Sequence, residues 1–100
     1  MKGYSFAWDP RATIDVLSAR ARLGVVRAAA LDEELELVRE RLSALPESAP
    51  RAWLRGQWSP TIRKLILSRN PYHLYYAVDV AAEEVVALAL RHERQRSPKL

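Results

Sequence analysis

The sequence predicts an α+β fold: an antiparallel sheet covered on one face by a helix pair. All eight aromatic residues lie outside residues 9–52. Aromatic side chains favour strands, so the middle of the chain reads as helix and its two flanks as sheet. Apolar residues in the middle recur every three or four positions, the helical period. Beyond residue 60, short runs rich in Ile, Leu and Val are separated by turn signals.

Residues 4–8 set Tyr4, Phe6 and Trp8 against Ser5 and Ala7, the alternation of a short first strand. Asp9-Pro10 then starts a helix, with Asp9 as an N-cap acceptor and Pro10 in the first helical position. Ile14, Leu17 and Ala21 mark its expected inner face, and Gly24 its end. The second helix carries the stripe Ala28, Leu31, Leu35, Val38, Leu42 and Leu45. Glu33, Glu36, Glu40 and Arg41 lie opposite the stripe, with Glu36 and Arg39 spaced for an i, i+3 pair. Pro46 stops this helix.

Pro46, Pro50, Gly56 and Pro60 make 46–60 a loop holding at most a brief extended piece. Trp53 and Trp58 within it read as lids over the core edge. Three strands follow, at 61–68, 72–79 and 84–90, with Asn70-Pro71 turning between the first two. Their short links favour an antiparallel meander. The predicted order is β-α-α-β-β-β in one domain spanning 1–100. One sheet face is left at least partly open, and 93–100 forms a basic tail.

The chain has 100 residues, 49% of them hydrophobic and 28% charged, the balance of a globular protein. It has no cysteine and only His73 and His92, so thiolate metal sites are excluded and neither metal nor cofactor is expected. No run approaches the about 18 apolar residues of a membrane span. Residues 1–4 lead straight into the first strand with no signal-peptide apolar region, so a cytoplasmic protein is expected. The net charge of +4 is unevenly placed. Residues 1–50 carry seven Lys/Arg against eight Asp/Glu, and residues 51–100 carry nine against four. A basic second half fits an anionic partner or a solvated basic surface.

Three segments extend these signals. Arg63-Lys64-Leu65-Ile66-Leu67, then Tyr72-His73-Leu74-Tyr75-Tyr76-Ala77-Val78-Asp79, then Val85 to Arg94 with its His92-Glu93-Arg94 ending, follow in order. With the element order, they resemble the ParE/RelE superfamily of toxins from bacterial type II toxin–antitoxin pairs. The 46–60 segment differs from the family's usual short link, and no terminal tyrosine follows His92.

The resemblance implies two branches of activity. ParE-like members inhibit DNA gyrase by binding it, and the His-x-Arg ending leans that way. RelE-like members cut messenger RNA on the ribosome without a metal. A non-toxic relative that binds only an antitoxin is a third possibility. RNA cleavage through the 2′-hydroxyl needs a base, an acid and cations for the phosphorane. The ribonuclease reading therefore nominates Arg63, His92 and Arg94 as catalytic candidates. Target binding nominates Arg69, His73, Tyr75, Arg91, Arg94 and Arg96.

Each candidate also has a structural reading. Arg63 and Lys64 are neighbours in a strand and point to opposite faces, so at most one lines an open site. Tyr76 shares parity with Leu74 and Val78 and belongs to the core, whereas His73 and Tyr75 share the other face. His92 at a strand end suits a structural role, and Arg94 and Arg96 suit a solvated tail. The resemblance further implies a cognate antitoxin as partner, with an acidic segment wrapping the basic half. Operator DNA would be bound only through that antitoxin.

Overall fold

In the computed structural model, residues 3–100 are described; Met1 and Lys2, the start of the segment read for a signal peptide, lie outside them. The elements are β1 (Ser5–Trp8), α1 (Pro10–Ala44), β2 (Arg51–Leu54), β3 (Gln57–Ile66), β4 (Tyr72–Asp79) and β5 (Glu84–His92). They build a five-stranded sheet in the order β1-β5-β4-β3-β2.

α1 is a helix pair in one continuous stretch. Asp9 caps it by accepting the Arg11 N–H at 2.9 Å, and Pro10 occupies the first turn. At Gly24 the backbone leaves the helical region (φ 78°, ψ 174°). Twelve residues of straight helix span about 18 Å, yet Arg20 Nη1 bonds Asp32 Oδ2 directly across this break. The chain therefore folds back on itself. The second arm buries Ala28, Leu31, Leu35, Val38 and Leu42 as its stripe requires, and Arg39 Nη2 meets Glu36 Oε1 at 2.7 Å.

Two expected inward faces are corrected. Ile14 and Leu17 are 61% and 60% exposed, because the first arm packs through the small Ala12 and Ala19 with Val16 and Leu23 beside them. Leu45 is also exposed, since it stands past the last helical turn as the C-cap.

The sheet is mixed rather than wholly antiparallel. β3, β4 and β5 form the expected meander, but β1 lies parallel to β5, pairing Phe6 with Val85 and Trp8 with Ala87. A parallel neighbour needs a long crossover, and the helix pair with the three strands after it supplies one. β1 covers β5 only as far as Ala87; further along, Asp15 Oδ2 of the helix accepts the Leu90 N–H at 3.0 Å.

The 46–60 segment is not a loop. β2 and the start of β3 form a hairpin closed by Arg55 and Gly56. Both have positive φ (53° and 76°), the requirement of a two-residue primed turn. Gly56 reads as a breaker in the sequence but acts as a hairpin tip. The helix-covered face holds the main core, centred on Leu31, Leu42, Leu74, Tyr76 and Val85. The opposite face is only partly open: Ile66 is exposed there, but part of the face is covered. Ala52, Leu54, Tyr75 and Ala89 form a second cluster there, with Ile62 and Leu100 packed against it. The tail folds back to reach it, so Pro98 is buried rather than solvated.

Glu34, only 5% exposed, sits on the apolar stripe between Leu31 and Val38. Its carboxylate accepts from Ser68 N (2.8 Å), Ser68 Oγ (3.1 Å), Arg69 N (3.0 Å) and Asn70 Nδ2 (2.7 Å). Burial alone would raise its pKa, but the bonds from Asn70, Arg69 and Ser68 outweigh burial and hold it below the ordinary value of 4.5. Among the described residues, no helix is long and apolar enough to cross a membrane.

Two outcomes are expected. Glu34→Gln removes charge-assisted bonds from a buried site and costs about 1–3 kcal/mol. The lowered carboxylate pKa means its stabilisation is full above the unfolded-state pKa and is lost as pH falls through the folded value. The gap between wild type and E34Q in urea midpoint should therefore be wide near neutrality and narrow in acid. An equal gap at both would refute this role. Gly24→Ala meets no atom within 4 Å, so its cost is backbone strain alone, about 1–3 kcal/mol, measured as a lower thermal midpoint.

Candidate functional site

The register divides the candidate residues between the two faces of the sheet. Arg63 pairs with Tyr76, and Tyr72 with His92. With Leu65 and Leu74 these belong to the helix-covered side. Lys64 pairs with Tyr75, and His73 with Arg91, on the opposite side. The sheet thus separates Arg63 and His92 from Lys64, His73 and Arg91.

Arg63 is held in place. Its Nη1 donates to Ala49 O at 2.6 Å, and its Nη2 meets Glu47 Oε2 at 3.3 Å. The guanidinium clamps the segment leaving the helix, with the Tyr76 hydroxyl accepting the Ala49 N–H beside it at 3.4 Å. Burial raises the Tyr76 pKa, so this phenol stays protonated at neutral pH.

His92 organises a turn. Its Nδ1 accepts the Arg94 N–H at 3.2 Å, and its own N–H donates to Gln95 Oε1 at 2.7 Å. The ring stands edge-on to Tyr72, with centroids 5.3 Å apart. Arg94 and Arg96 are exposed. Arg69 lies in the β3–β4 turn, its N–H given to Glu34 and its side chain exposed.

On the opposite face, burial and the neighbouring Lys64 hold the His73 imidazole below the ordinary histidine value of 6.5, despite the opposing pull of Glu93. It is therefore neutral at pH 7. Tyr75 is not available for contact: it is 3% exposed, and its hydroxyl lies 3.5 Å from Ser97 Oγ under the folded-back tail. Arg91 projects into a groove of about 630 Å³ between the tail, β5 and the first turns of the helix. Arg11, Arg96 and Lys99 join it there, and Asp15 supplies the one carboxylate of the lining side chains. The Arg91 Nε is buried without a hydrogen-bond partner.

Of the sequence candidates, the fold brings Arg91 and Arg96 together, leaves His73 beside Lys64, and sends Arg63, His92 and Arg69 elsewhere. Arg11 gave no signal and Lys99 only that of a basic tail, since both reach the groove only because the tail folds back beside the first helical turn. Glu34 did leave one: it is a carboxylate on the apolar stripe. Among the described residues, no group of three or more His, Cys, Asp or Glu is placed to hold a metal ion.

No protein-family model matches the chain, and no curated protein matches it. Solved structures do. A chain of the chromosomal ParDE TA system of P. aeruginosa superposes with a TM-score of 0.69 at 17% identity, over 89% of this chain and 95% of that one. The RelBE2 toxin–antitoxin complex of Mycobacterium tuberculosis contains a chain with TM-score 0.64 and 23% identity, over 92% and 93%. The isolated E. coli RelE toxin gives TM-score 0.58 and 26% identity, over 94% and 87%. The helix pair laid on a sheet whose first strand runs parallel to its last, together with these likenesses, gives the chain the fold seen in the ParE and RelE toxin structures.

Proposed function

We propose that this chain is the toxin of a type II toxin–antitoxin module and acts in the ParE manner, by binding DNA gyrase rather than by cutting RNA. The observation that carries this reading is the separation of Arg63 and His92 from the open cations. Arg63 is bound to Ala49 and Glu47, and His92 to the Arg94 N–H. General acid–base cleavage needs its groups within hydrogen-bond reach of one scissile phosphate. These two lie across the sheet from His73 and Arg91. The remaining surface offers cations for contact instead: Arg91, Arg96, Arg11 and Lys99 about one groove.

A cognate antitoxin belongs to the same proposal. Exposed apolar side chains on the helix pair support it: Ile14, Leu17, Val25 and Val26 are all more than half exposed. Such surface commonly marks a protein contact. The basic groove favours an acidic segment in that partner. The structures it resembles include the ParDE and RelBE systems.

Lys64, His73 and Arg91 favour the ribonuclease reading instead, since a neutral imidazole between two cations suits proton abstraction near a phosphate.

Induced expression in bacteria with separate labels for new DNA and new protein tests the two. DNA synthesis should fall first, with filamentation, and His73→Ala should leave the arrest intact. Arg91→Ala combined with Arg96→Ala should relieve it by tenfold or more in colony survival, roughly the loss of one strong charged contact. A prompt fall in protein synthesis that His73→Ala abolishes would establish the ribonuclease reading in its place.

A further inference from the structure

Trp53 and Trp58 serve neither core. They face each other across the β2–β3 hairpin as register partners, with centroids 5.0 Å apart and planes at 82°. They are 52% and 57% exposed and absent from both apolar clusters, so they are not lids. Their neighbours Ala52 and Leu54 do the anchoring, buried against Tyr75 and Ala89. An edge-to-face aromatic pair of this kind steadies a hairpin. That role uses only the contact between the rings and leaves more than half of each indole to solvent.

The sequence around the pair carries charge of one sign. Residues 48–78 contain no Asp or Glu and five Lys or Arg. Arg51 stands two residues before Trp53, and Arg55 two after it at the turn; both are exposed. Among the described residues neither forms a salt bridge, whereas Arg63 uses Glu47.

We infer that the β2–β3 hairpin is a binding site for single-stranded nucleic acid, with Trp53 and Trp58 stacking on unpaired bases and Arg51 and Arg55 contacting the flanking phosphates. Stacking needs a flat ring with a free face, and a base offers the complementary surface whatever its identity. Phosphates need unpaired cations nearby, which Arg51 and Arg55 supply. Duplex nucleic acid keeps its bases stacked and offers the rings nothing, so single strands are selected. No feature of the hairpin distinguishes a ribose from a deoxyribose, so RNA and DNA bind alike. This inference is independent of the toxin reading and concerns a different part of the surface from the Arg91 groove.

The test is tryptophan fluorescence of the full chain titrated with uridine and thymidine oligonucleotides of about 12 nucleotides. Both should quench the emission at low salt, and the matching duplex should not. Trp53→Leu or Trp58→Leu should weaken binding by about tenfold or more, with Trp8 emission left as the internal control. Arg55→Gln at the exposed turn leaves the ring pair untouched, so the hairpin stays folded. It should lower the slope of log affinity against log salt by about 0.7. Absence of quenching by either single strand overturns the proposal. So does quenching by a carboxylate-rich peptide alone, which would make the hairpin a protein contact. An unchanged salt slope in R55Q, or equal binding of the duplex, overturns it as well.

Discussion

The Glu34 carboxylate fixes how the two layers of this molecule meet. It lies on the inner stripe of the second helical arm, where an apolar side chain would ordinarily stand, and takes hydrogen bonds from Ser68, Arg69 and Asn70 in the β3–β4 turn. A buried carboxylate without partners would cost several kcal/mol or lose its charge. Satisfied by backbone N–H groups, it makes one position of the turn relative to the helix much better than its neighbours. Apolar contacts between Leu31, Leu35 and the sheet are less directional, since they tolerate small sliding. The carboxylate is not tolerant in that way.

The same device recurs at three other element ends. Asp9 holds the first turn of the helix, Asp15 takes the Leu90 N–H that β1 is too short to reach, and Arg63 holds the Glu47 and Ala49 carbonyls beyond the helix end. Each charged side chain satisfies a backbone group that regular structure leaves open. In a chain of this size the apolar core is modest, and such joints decide how the helix pair, the meander and the edge strands register with one another. A cost follows for function: Arg63 and His92, the two most conspicuous catalytic candidates, are occupied at joints.

Local signals were legible in the sequence where one residue decides the structure by itself. Asp9-Pro10 starts the helix, Gly24 breaks it, Glu36 meets Arg39 one turn on, and the Tyr72–Asp79 alternation sets Tyr76 inward and His73 outward. What was not legible depends on residues far apart in the chain. Ile14 and Leu17 have the spacing of an inner face, but the fold-back at Gly24 turns Ala12 and Ala19 inward instead. Arg55 and Gly56 look like the middle of a loop until a partner strand makes them the tip of a hairpin. β1 runs parallel to β5 because of a crossover that no short window contains. Tyr75 had the right face for contact, yet the tail and β2 cover it there.

This coverage changes what the basic second half means. Its cations are not one patch. Arg63 is neutralised by Glu47, Arg91 and Arg96 are gathered with Arg11 and Lys99 around the tail groove, and Arg51 and Arg55 stand with the paired tryptophans at the hairpin. Charge at the groove acts beside a carboxylate, Asp15, and a buried unpartnered Nε, a setting that favours one well-shaped anionic group. Charge at the hairpin acts on an open ribbon beside flat aromatic faces, a setting that favours an extended ligand with little shape of its own. The two surfaces arise from separate folding events, the return of the tail and the closure of the Arg55-Gly56 turn. A substitution at one therefore has no physical route to alter the other except through the shared Ala52, Leu54 and Tyr75 cluster between them.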